Sequence, residues 1–197
     1  GSYLYTTQSG LRVLGFAIDA ESGALAEISG SPYLTSVNVT RTRISPDDKY
    51  LYVMDEMAGI NVFSIDPASG GLSEISGSPF SAEAIAYDMK VHPSGNFVYL
   101  AINDTSGTPI NHVRAYAVNT TTGALTEISG SPYDPGSQPY GLAVDPSGSF
   151  LYTANYGSDD ISGFVIDKGT GALTAMDESP FSAGTGPGCI EIVRIPE

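Results

Sequence analysis

One phrase recurs four times along this chain: "SGALAEISGSPY", "SGGLSEISGSPF", "TGALTEISGSPY" and "TGALTAMDESPF". Its leucines, Leu25, Leu72, Leu125 and Leu173, stand 47, 53 and 48 residues apart. Self-similarity at such a step, filled with strand-forming residues, implies one supersecondary unit used repeatedly. A unit of this kind cannot bury its apolar face alone and must stack on its neighbours.

The residues between the phrases give the unit its parts. A first strand ends in a proline turn, as in "RTRISPDDK", "MKVHPSGN" and "LAVDPSGS", where Pro sets φ and the following Asp, Ser and Gly supply turn conformations. A second strand alternates aromatic and aliphatic residues around Tyr52, Tyr99 and Tyr152, as expected of a strand covered on both faces. A third strand ("INVFSID", "VRAYAVN", "ISGFVID") closes on Asp66, Asn119 or Asp167. Each of these stands four residues before Gly70, Gly123 or Gly171. An Asx side chain that caps its own turn, ahead of a Gly able to take positive φ, is a hairpin device. Acidic ligands are too few there for calcium, and Asn119 occupies the equivalent place. The short "GALTEI" segment is the fourth strand, and the Ser-Pro-aromatic after it leads across to the next unit. Helical periodicity is absent.

Four antiparallel strands per repeat of this length form the blade of a β-propeller. The expected fold is therefore all-β, with four four-stranded blades in a single domain, residues 1–197. The repeats run approximately over 1–36, 37–83, 84–136 and 137–185, with a closing strand at 186–197. The chain opens at a second strand ("SYLYTT" against "KYLYVM") and ends on a first strand ("CIEIVRIP" against "RTRISP"). The last strand is thus expected to complete the first blade by strand exchange, which hides sheet edges.

The segments "FLYTANYGSDDISGFVID" and "SAGTGPG" resemble the YVTN-type repeats of the propeller lactonases, the 6-phosphogluconolactonase-like proteins, and the resemblance covers the whole chain. Members of that family have seven blades, and this chain has four. Blades shaped for a seven-fold ring need less adjustment to close eight-fold than four-fold. An eight-bladed ring made by self-association of two chains is favoured over a four-bladed monomer, with a truncated or engineered half-propeller as the third reading.

A net charge of −14, with only 8 Lys plus Arg, excludes a phosphate-neutralising surface and so a nucleic-acid partner. No apolar run is long enough for a membrane span. Cys189 is the only cysteine, which leaves no intrachain disulfide; a partly buried structural thiol is expected. Few lysines and abundant Ser, Thr, Gly and Tyr favour an exported protein, extracellular or periplasmic. No signal peptide stands in the sequence, and no cofactor or metal motif is read.

Counting back from the turn prolines Pro46, Pro93, Pro146 and Pro196 places charges on the inner strands. Arg41, Asp88, Gly141 and Glu191 stand five residues before them. Arg43, Lys90, Ala143 and Val193 stand three before. Residues two apart share a strand face, so these form two layers near the axis. Arg41 is expected to pair with Asp88 or Glu191. Arg43, Lys90, Tyr87 and Tyr140 complete the candidate site for a small polar ligand. The resemblance implies an Arg-His pair in a "GPRH" motif at this place, with the His five before the proline. The matching pairs here are Thr40-Arg41, Tyr87-Asp88, Tyr140-Gly141 and Ile190-Glu191, without a histidine. His92 reads as a turn residue and His112 as a loop-tip residue in the insertion "NDTSGTPINH", which is expected to be exposed and mobile. Lacking the Arg-His pair, the chain is expected to be a non-catalytic binding or scaffold module. The alternative is a lactonase-like hydrolase acting on a sugar lactone.

Overall fold

The computed structural model describes residues 1–8, 10–35, 38–55, 59–104 and 110–194. It is all-β, with no helix among those residues. The first sheet holds β1 (Ser2–Gln8), β2 (Arg12–Ile18), β3 (Leu25–Glu27) and β4 (Tyr33–Leu34). The second holds β5 (Val39–Ile44), β6 (Tyr50–Asp55), β7 (Gly59–Ile65), β8 (Leu72–Glu74) and β9 (Phe80–Ser81). The third holds β10 (Ala86–Val91), β11 (Phe97–Asp104), β12 (Ile110–Val118) and β13 (Leu125–Glu127). The fourth holds β14 (Pro139–Val144), β15 (Phe150–Asn155), β16 (Asp160–Ile166), β17 (Leu173–Ala175) and β18 (Phe181–Ser182). All pairings are antiparallel, and β1-β2-β3, β5-β6-β7-β8, β10-β11-β12-β13 and β14-β15-β16-β17 run as meanders, as the repeat requires.

The chain divides into two compact units, residues 1–83 with 121–124, and residues 84–120 with 125–197. The first unit buries Val13, Val39, Leu51, Val53, Phe63 and Leu72 together. The second centres on Phe97, Tyr99, Val113, Leu142, Leu151 and Phe164.

The recurring phrase now has a physical account. Asp19, Asp66 and Asp167 accept backbone N–H bonds through Oδ1 from the residue three further on, each at 2.8 Å. The glycine that follows sits at φ 71°, 70° and 75° respectively. In "EISGSP", the second serine's hydroxyl accepts from a third-strand N–H (Gly15, Val62, Ala115) and donates to the glutamate four residues earlier (Glu27, Glu74, Glu127). The fourth repeat has Ala175 in the glutamate's place and keeps only the bond from Gly163 N–H to Ser179. The Ser-Pro-aromatic does not lead away as expected. It turns back and pairs with the third strand of its own sheet, β4 on β2, β9 on β7 and β18 on β16. The serine already bonded to that strand holds it there.

Aromatic residues of the second strand lock one repeat onto the next. Tyr5 Oη donates to the Gly70 carbonyl at 2.7 Å, and Tyr99 Oη to that of Gly171 at 2.9 Å. The preceding aromatic ring covers the same glycine: a Cβ on Gly70, Gly123 or Gly171 would stand 2.4, 2.6 or 2.4 Å from Tyr3, Tyr50 or Phe97. Only a residue without Cβ fits at such a contact.

Three expectations are corrected. The closing strand at 186–197 is not formed among the described residues: 183–194 carry no strand, and β1 pairs with β2 alone. An inner strand becomes a strand only when a second strand pairs with it, and nothing pairs with 189–194. Second, Cys189, expected to be partly buried, is exposed. Third, the insertion lengthens a hairpin. Asn103 and Asp104 extend β11, residues 110–112 begin β12, and His112 pairs with Ile102 rather than sitting at a loop tip. Residues 105–109 lie outside the described residues.

Candidate functional site

The inner strands share one irregularity. Register slips between Val39 and Arg41 in β5, Ala86 and Asp88 in β10, and Pro139 and Gly141 in β14. A bulge at this place re-aims the extra side chain out of the ladder. The extra residues are Thr40, Tyr87 and Tyr140, the first members of the pairs aligned on the turn prolines. The register read from Pro46, Pro93 and Pro146 is the register of β5, β10 and β14, and Pro196 lies outside the described residues.

In the second unit the bulges build an aromatic ladder. The rings of Tyr87 and Tyr140 lie 4.6 Å apart between centroids, and those of Tyr140 and Tyr156 lie 5.1 Å apart, both tilted. Tyr156 is 50% exposed and ends the ladder at the surface. Loss of solvent, with the Tyr87 hydroxyl beside it, holds the Tyr140 phenol above its ordinary pKa, so the Tyr140 hydroxyl stays protonated as a donor. Backbone bonds fix the ladder's base: Tyr156 N–H donates to the Gln138 carbonyl at 2.8 Å, and Gln138 N–H to Asn111 Oδ1 at 3.0 Å.

Beside the ladder lies an ion pair. Lys90 Nζ stands 2.8 Å from Glu191 Oε1, with Lys90 18% and Glu191 74% exposed. Strand β14 lies between their backbones. On one side Asp88 Oδ2 accepts from Leu142 N–H at 3.1 Å. On the other side Gly141 is so close to the passing chain that a Cβ would stand 2.9 Å from the Gly188 carbonyl. Lys90 therefore reaches across β14 at the small residues Gly141 and Ala143. The result is a cation and an exposed carboxylate bridged across β14, the strand that carries Tyr140 at its bulge.

The other candidates have different places. Asp88 is buried and structural: Oδ1 accepts from Met89 N–H at 2.9 Å while Oδ2 ties β10 to β14. Glu191, expected opposite Arg41, is held by Lys90. In the first unit Arg41 is exposed, and Arg43 Nη1 donates to the Thr42 carbonyl at 2.9 Å. A cleft of about 540 Å³ in that unit is lined by Tyr3, Tyr5, Ile44, Lys49, Ile65 and Pro67, among others, and not by the candidate arginines. Burial, then Tyr33 and Tyr3, pushes the Tyr5 phenol up to about 12.

His92 is the turn residue it was expected to be. Ser94 N–H donates to its Nδ1 at 3.1 Å, so the proton sits on Nε2 and is donated to the Gly148 carbonyl at 2.9 Å. Sequence reasoning overlooked two buried polar groups. Asp55 accepts from Gly59 N–H and from Asn61 Nδ2. Asn155 donates to the Pro135 carbonyl, Asp160 and Ser162, and accepts from Thr153. The signal was an amide or carboxylate ending an otherwise apolar second strand.

Repeated antiparallel sheets of the β-propeller type, with a bulge on each described inner strand and a tyrosine ladder on two of them, are the class this geometry defines. The chain belongs to the lactonase family described as "Lactonase, 7-bladed beta-propeller", whose model matches residues 1–192. Among solved structures it is similar to a candidate 6-phosphogluconolactonase of Bacteroides uniformis (21% identity, TM-score 0.82, 96% of this chain and 54% of that one). A second similar structure is the periplasmic gluconolactonase of Pseudomonas aeruginosa (19% identity, TM-score 0.76, 95% and 53%). At these identities the likeness is one of fold. The chain spans about half the length of these structures. No curated protein matches it.

Family membership overturns the expectation of a non-catalytic binding or scaffold module and backs its lactonase-like alternative. That expectation rested on the missing Arg-His pair, which is a difference at one position. The match extends over residues 1–192.

Proposed function

We propose that the protein is a lactonase-like hydrolase acting on a sugar lactone, with its four sheets serving as four blades of a propeller ring. The observation that carries the reading is the family match over residues 1–192, and the Lys90–Glu191 pair beside the tyrosine ladder gives it chemistry. A sugar lactone presents a flat, hydroxylated ring and an ester carbonyl. Tyrosine faces and hydroxyls suit the former, and a cation beside a carboxylate suits the latter.

In the proposed step Glu191 accepts a proton from water as the water oxygen bonds to the lactone carbonyl carbon. Lys90 stabilises the oxyanion that forms. Collapse breaks the ring C–O bond, the proton passes to the departing ring oxygen, and an open-chain hydroxy acid is released as its carboxylate. The exposure of Glu191 gives water access to the base.

Hydrolysis of gluconolactone, followed by proton release, tests this. Lys90→Ala and Glu191→Gln are each expected to lower kcat by about 10²-fold without a comparable fall in thermal stability, because Glu191 is 74% exposed and an ion pair with one partner in water contributes little to folding. Wild-type protein without hydrolysis above the spontaneous rate would overturn the reading. Arg41→Ala is the comparison: a loss there equal to that at Lys90 would move the charge stabiliser to the first unit.

A further inference from the structure

Among the described residues, Asp48, Glu83, Gln138 and Asp159 hold a left-handed backbone without being glycine. Aspartate tolerates that region in turns, and glutamine has no such preference. Glu83 is held within its own linker, its N–H donating to the Ser81 hydroxyl at 3.2 Å. Gln138, at φ 52°, is held by two separate elements. Its N–H donates to Asn111 Oδ1 on β12 at 3.0 Å, and its carbonyl accepts from Tyr156 N–H at 2.8 Å. Gly157 N–H adds a bond of 3.0 Å to the Ser137 carbonyl. The repeat pattern does not ask for this conformation. Gln138 stands eight residues before Pro146, and its equivalent eight before Pro93 is Ile85. The Ile85 carbonyl accepts the matching bond, from Asn103 N–H, without a positive φ. A glycine at 138 would fold there without strain, so a glutamine kept in place by its surroundings is a sign of a functional position.

The side chain lies at the tyrosine ladder. Pro139 is buried, and its neighbours Gln138 and Tyr140 are both half-buried. A Cβ on Gly157, the residue after the last ring of the ladder, would stand 3.1 Å from Gln138 Cβ and 3.0 Å from its Cγ. Gly157 thus leaves the room that the glutamine stem fills. The Gln138 amide makes no hydrogen bond among the described residues. We propose that Gln138 is a substrate-binding residue, whose amide bonds ring hydroxyls of a sugar lactone held at the Tyr87–Tyr140–Tyr156 ladder. The inference rests on the lactonase reading and adds the group that recognises the sugar. Tyrosine faces hold the apolar side of a sugar ring. The amide supplies one acceptor and two donors, which suits neighbouring hydroxyls that each donate and accept. Discrimination follows, because a lactone without hydroxyls leaves that half-buried amide unpaired.

Gln138→Gly and Gln138→Ala separate the amide from the backbone. Both remove the amide, and only glycine relieves the left-handed conformation. Hydrolysis is compared for gluconolactone and for δ-valerolactone, a six-membered lactone without hydroxyls. Both variants are expected to narrow the preference for gluconolactone, in kcat/KM, by about tenfold, the size of one neutral hydrogen bond. Gln138→Gly is expected to melt no lower than the unmodified chain, which shows that the loss is not one of folding. Binding of gluconolactam, a non-hydrolysable analogue, is followed by calorimetry and is expected to weaken about tenfold in both variants. That arm stands apart from catalysis. If the unmodified chain binds gluconolactam through Gln138 but hydrolyses neither lactone, the lactonase reading fails and the hydroxyl contact stands. If it hydrolyses gluconolactone and both variants keep its preference over δ-valerolactone, the contact is overturned and the lactonase reading stands. A chain that neither binds gluconolactam nor hydrolyses gluconolactone overturns both.

Discussion

Gly171 meets two demands at once. Its φ of 75° is a conformation that side chains rarely adopt, and a Cβ there would stand 2.4 Å from Phe97 and 2.7 Å from Ile128. Gly10, at φ 93°, meets the first demand alone, with nothing within 4 Å. Left-handed backbone costs a residue with a Cβ about 1–3 kcal/mol, and overpacking a core contact adds about 1–3 kcal/mol. Gly171→Ala is therefore expected to lower unfolding free energy by clearly more than Gly10→Ala, measured by denaturant unfolding of both. Equal losses would mean that Phe97 yields freely and that the ring on the glycine is not what couples the repeats. Residues at this scale differed in how legible they were. The hairpin glycines and His92 could be read because turn chemistry is local. Lys90 and Glu191 could be placed in layers but not matched, because the bond passes across an intervening strand that sequence gives no reason to skip. The acid expected to answer Arg41, Asp88, is spent on the Leu142 N–H.

Three of the four repeat hairpins depend on one carboxylate each, and the third repeat has Asn119 in its place. Asp66 accepts from the backbone and hydroxyl of Ser69 and from Ala68 N–H, and these bonds hold its carboxyl below the ordinary carboxylate range; Asp19 and Asp167 are held low in the same way by Ser22 and Thr170. A folded pKa below the unfolded one means that the contribution is fully present above the unfolded value, about 4. It is lost as pH falls through the lower, folded value. The amides of Gly23, Gly70 and Gly171, which donate back to these aspartates' carbonyls, are therefore expected to exchange faster with solvent as pH drops below about 4, after correction for intrinsic exchange. Protection that is flat or rises on acidification would contradict the assignment. At this scale the meander, the hairpin turns at Gly70, Gly123 and Gly171 and the proline register of the inner strands were readable from pattern. The return of the Ser-Pro-aromatic to its own third strand was not, because it depends on a serine hydroxyl bonding across sixteen residues, from Val62 to Ser78. The expected closing strand is absent among the described residues, because strand-forming residues do not make a strand without a partner.

The charge of the whole chain sets how its stability answers salt. With −14 at neutral pH, from 22 Asp plus Glu against 8 Lys plus Arg, the folded chain repels itself. Salt screens that repulsion over a Debye length that falls from about 30 Å at about 0.01 M to about 8 Å at about 0.15 M. The apolar cores around Leu51 and Leu151 carry no charge and are not weakened by the same screening. The midpoint of thermal unfolding is therefore expected to rise as ionic strength goes from about 0.01 M to about 0.15 M and to change little beyond it. Circular dichroism melts at fixed pH across that series read this. A midpoint that falls as salt rises would be the opposite sign, and it would mean that ion pairs such as Lys90–Glu191 and Arg114–Glu127 outweigh the repulsion of the excess carboxylates.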